Sequence, residues 1–368
     1  MKIAICVNHF HPCVGGAEKV AKTIADYLSQ SHEIFIFTRK LSKNRNLQEF
    51  KYPVFEYRQG EIVNFEKKLN SLNVDVVFIY SDVFDFFRQI ITKKSSYKII
   101  AALCGANWLY SHRNFVNVIY QNAKNINSLI CHSIYDRDYR LCENTRLIEK
   151  TIIIPNGVNI EEFNNNTLKK SDLDKENINK QWILNVSNFF PGKGQEHIFE
   201  IISKLPNTEE IVYIQICNDI DFEIGTLLEN KWRLKAEKLK PKIKIKLIKN
   251  ASREKVIAYF KQSNVFVFSS EKEVAPLVLL ESMTASLPWV STNIGNSEEL
   301  KGGIKISTMK DSRFHSVFNN RIYNSFSDAI PKLWNNPLIG EEGRKQVEEK
   351  FDWKKILPQY KSLIESCV

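Results

Sequence analysis

The sequence predicts an α/β protein with two doubly wound domains, each built on a parallel sheet with helices on both faces. Three observations indicate this fold class. Short apolar runs typical of buried strands alternate with amphipathic helical segments. A polar stretch, residues 164–181, interrupts the alternation near the middle of the chain. The alternation then restarts and continues to about residue 307.

The first domain is predicted over residues 1–160. Its opening run, KIAICVNHF, is continuously apolar, as expected for a strand that is buried on both faces. The following segment has its apolar residues on one helical stripe, which is typical of a crossover helix. Strands are expected at residues 2–10, 32–39, 74–82, 97–105, 127–133 and 150–159.

The second domain is predicted over residues 161–350, and the polar residues 164–181 at its start are interpreted as an exposed linker. Two doubly wound domains joined in this way predict an interdomain cleft. Ligands of such sheets bind beyond the carboxyl ends of the strands. Strands of this domain are expected at residues 182–189, 210–219, 242–250, 263–270, 287–292 and 303–307.

The composition favours a globular protein of the cytoplasm. The chain has 368 residues, of which 43% are hydrophobic, enough for two ordinary cores. No segment approaches the roughly 20 apolar residues needed to cross a bilayer. The seven cysteines are scattered without metal-binding spacing, which favours reduced thiols over a disulfide framework.

The net charge of +10 lies mainly in the first 160 residues. A basic surface attracts anions such as phosphorylated substrates, an anionic membrane or nucleic acid. A charge that only keeps the protein soluble is the alternative.

Two glutamates flank the apolar run in EVAPLVLLE. Glu273 is expected on a loop before a buried helix and Glu281 about two turns further, roughly 10 Å along the axis if all is helical. The segment 275–277 at the helix N-terminus, where Ala275 and Leu277 have free N–H groups, is expected to form an anion seat. A nucleotide sugar, with a diphosphate between two polyols, fits this arrangement. The alternative is an exposed Glu273 and a Glu281 that only caps or pairs.

Two glycine-rich turns follow predicted strands and can approach a phosphate. Gly15 and Gly16 open the first helix, where the backbone can come close to a diphosphate. Lys193 stands between two glycines in FFPGKG, where a cation can neutralise a departing diphosphate. A plain tight turn and a solvent-facing lysine are the alternatives. Pro155 and Gly157 in IPNGV are turn formers expected to supply a hinge.

This set of motifs resembles the retaining GT-B glycosyltransferases of family 4. The resemblance spans nearly the whole chain, and its most specific part is the E-x7-E motif. It implies a GT-B fold whose second domain binds a nucleotide-sugar donor and whose first domain binds the acceptor, with residues 351–368 packing back onto the first domain. The motifs that carry it are GGAEK (15–19), IPNGVNIEEF (154–163), VSNFFPGKG (186–194), EVAPLVLLE (273–281) and LPWVSTNIGNSEEL (287–300).

The resemblance also implies roles for the site residues. Glu273 would contact the transferred sugar and Glu281 the ribose of the nucleotide. Lys193 would meet the diphosphate, and the loop of Gly15 and Gly16 would close over the donor phosphates. The implied chemistry needs no metal and no cofactor, retains the anomeric configuration, and uses the leaving diphosphate to help deprotonate the acceptor.

The chain departs from this family pattern at several positions. Asn188 stands where an arginine is common, so one cation at the diphosphate is missing. Pro276 stands where glycine is common and has no N–H, which leaves the amides of Leu277 and Val278.

Cys104 and Gly105 stand where many members of the family have a histidine-containing pair near the donor sugar. This departure predicts altered sugar preference or lower activity. By their place in the chain, His9 or His11 could substitute for the missing histidine, although ordinary loop histidines are the alternative.

The sequence therefore predicts a retaining, metal-independent glycosyltransferase with a nucleotide-sugar donor, expected to be a UDP-sugar. The expected acceptor is a glycan or lipid-linked glycan in cell-surface polysaccharide synthesis, at the cytoplasmic face of the inner membrane. The apolar and basic segment 108–124 favours peripheral contact with an anionic membrane, and an ordinary buried helix is its alternative.

Three other functions compete with this one. A metal-dependent transferase would need an Asp-x-Asp triplet, and three occur, at 136–138, 172–174 and 219–221. A nucleotide-sugar epimerase could use the same cleft with carboxylates as acid and base. A non-catalytic binder of nucleic acid or other anions could use the basic run 231–249, although KIKIKLIK within it is more typical of an edge strand guarded by lysines. No nucleic-acid partner is expected.

Overall fold

The computed structural model describes the chain in two compact units. Residues outside the description are 12–14, 41–49, 59–60, 81–89, 94, 103, 105–118, 144, 220–222, 240–241, 311–315, 335, 337 and 368. The first unit contains Met1–Asn156 and Lys354–Val368, and the second contains Gly157–Trp353. The units meet in sequence within IPNGV, four residues before the predicted boundary at residue 160.

The first unit is a parallel sheet of seven strands in the order β3-β2-β1-β4-β5-β6-β7. The central strands are buried along most of their length, as their continuous apolar runs predict. The strands are β1 (Lys2–Val7), β2 (Glu33–Arg39), β3 (Val54–Tyr57), β4 (Val76–Tyr80), β5 (Lys98–Ala102), β6 (Ser128–Cys131) and β7 (Thr151–Ile153).

Helices cover this sheet with their apolar stripes. In Gly16–Leu28 the buried residues are the predicted stripe of Val20, Ala21, Ile24, Ala25 and Leu28. In the C-terminal helix Trp353–Ser366, the fully buried ring of Tyr360 lies 6.0 Å from that of Phe78. Among the described residues, the other α-helices of the unit are Ile62–Ser71 and Arg137–Glu143.

The second unit repeats this plan with six parallel strands in the order β10-β9-β8-β11-β12-β13. The strands are β8 (Gln181–Val186), β9 (Ile211–Cys217), β10 (Lys244–Lys249), β11 (Val265–Phe268), β12 (Trp289–Thr292) and β13 (Gly303–Ile306), followed by the antiparallel pair β14 (Met309–Lys310) and β15 (Ser316–Val317). The helices are Ile160–Asn164, Lys170–Leu173, Gln195–Ile202, Glu223–Leu239, Arg253–Gln262, Leu277–Thr284, Asn320–Trp334 and Leu338–Gln346.

The strand order of the second sheet reverses between β8 and β11. Strands β9 and β10 lie on one side of β8, whereas β12 and β13 lie on the far side of β11. Loops that leave two neighbouring strands toward opposite sides open a crevice at this point, where ligands of doubly wound sheets bind. The turn containing Lys193 follows β8 and the loop containing Glu273 follows β11, so both motifs border this crevice.

The interpretation of residues 164–181 as an exposed linker is wrong. The segment packs on the second unit through hydrogen bonds to the main chain. Asn166 Nδ2 donates to the carbonyl of Glu254 at 2.8 Å, and Trp182 Nε1 donates to that of Asn177 at 2.9 Å. The buried carboxylate of Asp174 forms an ion pair with Lys246. Polar side chains that cap main-chain groups resemble a linker in composition, although they fix the segment in place.

Two findings concern the edges of the sheets. The sheet of the first unit ends in an edge strand, β3, which the sequence analysis missed because Val54–Tyr57 is short and follows a proline. The prediction that KIKIKLIK is an edge strand is confirmed, since β10 ends the second sheet. Its lysines are ion-paired as well as solvated: Lys249 lies 3.0 Å from Glu229.

No helix in the part of the chain that the structure describes has both the length and the apolar character required to span a membrane.

We expect Gly157→Ala to lower the free energy of unfolding by about 1–3 kcal/mol, because overpacking a filled site carries a cost of this size. A Cβ at Gly157 would stand 2.6 Å from the buried ring of Trp353. The same stretch is fixed by the bridge between Val158 and residues 351–353, where Val158 N–H donates to the Phe351 carbonyl at 2.8 Å. Urea unfolding measures the loss. The exposed Thr167→Ala serves as control and should change stability by less than about 0.5 kcal/mol.

Candidate functional site

The turn after β8 is locked against the end of β11. Gly194 has φ +68°, and a Cβ there would stand 2.0 Å from the carbonyl oxygen of Ser269. Ser269 Oγ donates to the Gly194 carbonyl at 2.7 Å, and Glu271 N–H donates to that of Gly192 at 2.8 Å. Only glycine fits so close an approach of two backbones in the left-handed conformation. The turn thereby fixes the place of Lys193.

Lys193 and Glu273 form an ion pair across the two loops. Lys193 Nζ lies 2.7 Å from Glu273 Oε1, and Ser270 Oγ lies 3.1 Å from the same oxygen. The side chain of Glu273 is only 8% exposed. A carboxylate held this deep needs a cation and hydrogen-bond donors, and both loops provide them. The alternative of an exposed Glu273 is therefore wrong.

Glu281 is held by a different cation. It is the fifth residue of the helix Leu277–Thr284, its side chain is 8% exposed, and its Oε1 accepts a hydrogen bond from Arg253 Nη1 at 2.7 Å. Arg253 Nε also donates to Glu162 Oε2 at 2.9 Å. Burial acts to lower the pKa of Arg253, but Glu281 and Glu162 outweigh it and raise that pKa. Arg253 thus connects the carboxylates of Glu162 and Glu281, which belong to separate helices. The alternative that Glu281 forms an ion pair is confirmed.

The helix after the Glu273 loop begins at Leu277, with Pro276 as its N-cap residue. Ala275 and Pro276 are buried, whereas Leu277 and Val278 are half-buried. The N–H groups in the first turn of a helix have no acceptor within the helix. The amides of Leu277 and Val278 are therefore the main-chain donors that this N-terminus offers to an anion.

Asn188 is tied to the neighbouring loop. Its side-chain oxygen accepts a hydrogen bond from Asn218 N–H at 2.8 Å, and its carbonyl accepts one from Gln195 Nε2 at 2.7 Å. Gln195 is buried and sequence reasoning missed it. Asn188 therefore connects the ends of β8 and β9.

Gly15 and Gly16 lie at the start of the helix Gly16–Leu28 in the first unit. Gly15 is extended, with φ −133° and ψ 174°, a conformation open to any residue. A Cβ there would stand 2.2 Å from Glu18 Oε2, so the Glu18 carboxylate lies against this glycine. A donor phosphate at this N-terminus would have to displace the carboxylate. The role of the two glycines stays a prediction.

Cys104 lies beside a buried histidine. His132 Nδ1 is 2.9 Å from the Ile154 carbonyl, which only accepts, so Nδ1 carries the proton. Nε2 is then the acceptor for Tyr80 OH at 3.3 Å or for the Cys104 thiol at 3.5 Å. Burial lowers the pKa of His132 and favours this neutral ring. Gly105 and the segment 108–124 lie outside the described residues.

The described aspartates of the Asp-x-Asp triplets have structural partners. Asp136 accepts hydrogen bonds from the N–H groups of His132, Ser133 and Tyr139. Asp174 pairs with Lys246, and Asp219 accepts one from Asn250 Nδ2 at 2.6 Å. These contacts give no support to a metal-dependent transferase.

One group of possible metal ligands occurs among the residues that the structure describes. Glu196, His197 and Glu271 bring ligand atoms within 4.8 Å of one another. His197 is already bonded on both sides, since Nδ1 is 3.1 Å from Tyr323 OH and Nε2 is 3.1 Å from Glu271 Oε1. Both ring nitrogens of His197 therefore have partners within the protein.

The structure thus brings Lys193 and Glu273 together and gives Glu281 a partner that the sequence analysis missed. One signal could have found it: Arg253 opens the helix Arg253–Gln262, where a cation faces the positive end of the helix dipole. An arginine in that place indicates a nearby carboxylate. Ser270 carried no comparable signal.

The model of the family described as "Glycosyl transferases group 1" matches residues 169–348. Among curated relatives, a probable sucrose-phosphate synthase of Thermosipho melanesiensis is 27% identical over 59% of this chain, and the chain spans about half (48%) of that protein. The uncharacterized glycosyltransferase MJ1069 of Methanocaldococcus jannaschii is 23% identical over 100% of this chain and 99% of its own length. A UDP-Gal:alpha-D-GlcNAc-diphosphoundecaprenol alpha-1,3-galactosyltransferase of Escherichia coli is 23% identical over 76% of this chain and 71% of its own length.

Solved structures resemble the whole chain. A glycosyltransferase from Rickettsia africae matches with a TM-score of 0.78 at 19% identity, over 100% of this chain and 98% of its own. HepE of Anabaena, in complex with UDP-glucose, matches with a TM-score of 0.77 at 16% identity, over 100% of both chains. Likeness at this level of identity establishes the fold, and the predicted GT-B fold of two Rossmann-like domains is confirmed.

We expect Arg253→Met to lower the free energy of unfolding by about 1–2 kcal/mol at neutral pH. Removing one partner of a fully buried pair costs about 3–5 kcal/mol. Because the Arg253 side chain is 35% exposed, solvent already screens this pair and the loss is smaller. Arg253→Lys keeps the charge and should restore part of the stability. Urea unfolding measures both. The exposed Lys255→Met, in the same helix, is the matched control, and an equal loss there would mean that the bridge to Glu281 contributes nothing.

Proposed function

We propose that this chain, which belongs to the glycosyl transferases group 1 family, moves a sugar from a nucleotide-sugar donor, a UDP-sugar, to a glycan or lipid-linked glycan. The observation that carries the proposal is the Lys193–Glu273 pair at the reversal point of the second sheet. A cation, a carboxylate and the helix N-terminus beginning at Leu277 belong to loops that leave adjacent strands there. These groups match the parts of a nucleotide sugar.

In the proposed reaction the bond between the anomeric carbon and the diphosphate oxygen breaks while a bond to an acceptor oxygen forms. The departing diphosphate gains negative charge. Lys193 and the amides of Leu277 and Val278 stabilise that charge from fixed positions, which is the most effective form of electrostatic catalysis. The diphosphate takes the proton of the acceptor hydroxyl on the same face of the sugar, so the anomeric configuration is retained.

Glu273 has two parts in this proposal. Without donor it neutralises Lys193 and keeps the lysine in place. With donor bound, the diphosphate competes for Lys193, and the carboxylate becomes an acceptor for hydroxyl groups of the transferred sugar. Ser270 Oγ lies 2.9 Å from the Gly192 carbonyl and 3.1 Å from Glu273 Oε1, so its single proton can be donated to the carboxylate when Lys193 bonds to the diphosphate.

Glu281 would accept hydrogen bonds from the ribose hydroxyls, with Arg253 and Glu162 holding its carboxylate in one orientation. Asn188 replaces a cation of the family pattern, so it would position the Lys193 turn through Gln195. The predicted role of Gly15 and Gly16, a loop that approaches the donor phosphates, stays part of the proposal. No metal or cofactor enters the proposed reaction.

The donor and acceptor classes rest on the relatives. A structural neighbour is in complex with UDP-glucose, and the Escherichia coli relative is named for a UDP-sugar donor and a diphosphoundecaprenol acceptor. A UDP-sugar and a lipid-linked glycan are therefore the first substrates to test, in the synthesis of a cell-surface polysaccharide. Such an acceptor would place the enzyme at the cytoplasmic face of the membrane.

Glu273→Gln should separate donor binding from transfer. The neutral amide no longer competes for Lys193, so UDP should bind as tightly as to wild type or several-fold more tightly. Transfer should fall by at least about 100-fold, because losing one such transition-state contact costs about 10²–10³ in rate. Lys193→Ala should weaken UDP binding and transfer together. Calorimetry and initial rates measure the two quantities.

The exposed Lys204→Ala removes a lysine elsewhere in the second unit and should leave both quantities unchanged. Wild-type transfer by Glu273→Gln or by Lys193→Ala would contradict the assigned roles.

A donor screen tests the proposal as a whole. UDP and UDP-sugars should raise the melting temperature more than GDP, ADP or TDP compounds, because a ligand that binds the folded state stabilises it. The product formed with a lipid-linked acceptor should have the anomeric configuration of the donor by NMR, at a rate that EDTA does not change. Loss of the rate with EDTA would direct attention to Glu196, His197 and Glu271. Release of an epimer without acceptor would indicate an epimerase.

A further inference from the structure

The helix Glu223–Leu239 has apolar side chains on the side that faces away from its own unit. Its buried residues are Gly225, Trp232 and Ala236, and the ring of Trp232 lies 5.2 Å from that of Phe199. The exposed apolar residues of the same helix are Ile224 at 47%, Leu227 at 52% and Leu234 at 68%. Since Trp232 packs inward, the aromatic platform that a nucleic-acid binder would need is absent from the described part of this helix.

Helical geometry places these three residues on one side of the helix. At about 100° per residue, they share an arc of about 80°, roughly opposite the buried residues. Three exposed lysines, Lys231, Lys235 and Lys238, fall on the same side. The acidic residues Glu229 and Glu237 fall outside it, and Glu223 lies at its edge. We call this surface the basic apolar side, composed of Ile224, Leu227, Lys231, Leu234, Lys235 and Lys238.

We propose that the basic apolar side docks onto an anionic lipid bilayer. Leucine and isoleucine side chains at the boundary of headgroups and acyl chains leave water, while lysine ammonium groups reach the lipid phosphates. Charge complementarity favours a lipid bilayer as the partner. Lysines interleaved with leucines are complementary to a surface whose headgroups are anionic and whose interior is apolar. A polyanion such as nucleic acid would use the lysines and leave the apolar residues in water.

Each lysine near an anionic membrane strengthens binding by about five-fold, and three together by about 100-fold. The apolar residues add binding that salt does not screen. The proposal differs from the sequence-based one, which concerned residues 108–124, and it does not rest on the proposed transfer reaction.

Vesicle sedimentation of the full chain tests the proposal. The probes are phosphatidylcholine vesicles with and without phosphatidylglycerol. Wild type should bind only in the presence of phosphatidylglycerol. The variant Lys231→Glu/Lys235→Glu/Lys238→Glu should lose at least about 100-fold in affinity. The variant Leu227→Ser/Leu234→Ser should lose about ten-fold or more, since it removes two inserted side chains at unchanged charge.

The matched control changes three exposed lysines on other helices, Lys255→Glu/Lys332→Glu/Lys345→Glu, and should bind nearly as well as wild type. Equal loss in this control, wild-type binding by the leucine variant, or failure of the wild type to bind phosphatidylglycerol vesicles would each overturn the proposal. Melting curves of every variant show that the chain is folded, and Leu234→Ser alone replaces the double variant if the latter is unstable. UDP binding, measured on the same samples, reports on the proposed function separately.

Discussion

The close contact between the 192–194 turn and the end of β11 is the constraint on which the candidate site depends. Gly194 approaches Ser269 so closely that a side chain has no space, and serine and main-chain hydrogen bonds join the two loops. This contact exists because the sheet order places β11 beside β8, although the two strands are about 80 residues apart in the chain. Lys193 and Glu273 meet as a consequence of this topology.

The burial of the Lys193–Glu273 ion pair costs desolvation energy, and this cost indicates a function. A carboxylate that is almost fully buried loses most of its hydration, and an ammonium group at 2.7 Å restores only part of that energy. For stability alone, a pair of apolar residues would serve the fold equally well or better. A buried ion pair at the reversal point of a doubly wound sheet is better explained by a ligand that uses both charges, as the proposed diphosphate and sugar do.

Much of the fold could be predicted because buried parallel strands have continuous apolar sequences. β1, β4 and β11 are of this kind, and their positions in the sequence are unambiguous. β3 could not be predicted, since a short edge strand needs few apolar residues. The segment 164–181 was misinterpreted because its polar side chains are anchored: Asn166 donates to a main-chain carbonyl, Asn177 donates to Asp174, and Asp174 pairs with a lysine. Polarity alone does not distinguish anchoring from exposure.

The site was predictable where local motifs supply it and not where distant residues complete it. Lys193 and Glu273 each stand in a motif that has meaning by itself. Arg253 and Ser270 act only through their carboxylate partners, and Arg253 reaches Glu281 across 28 positions of sequence. A single sequence does not show which distant residues pair. The one indication here is that Arg253 stands at the N-terminus of a helix, where a cation is unfavourable.

The charges around the proposed donor phosphates explain why this site would depend on its main chain. Asn188 supplies no cation, and Lys193 is shared with Glu273. A further positive potential comes from the helix that begins at Leu277, whose N-terminus is equivalent to about half an elementary charge. Pro276 provides no N–H, so that potential is concentrated on the amides of Leu277 and Val278. Dipoles of this kind act strongly only where water is excluded. Under the proposed function, exclusion of water around the bound donor would therefore be required for these amides to stabilise the diphosphate.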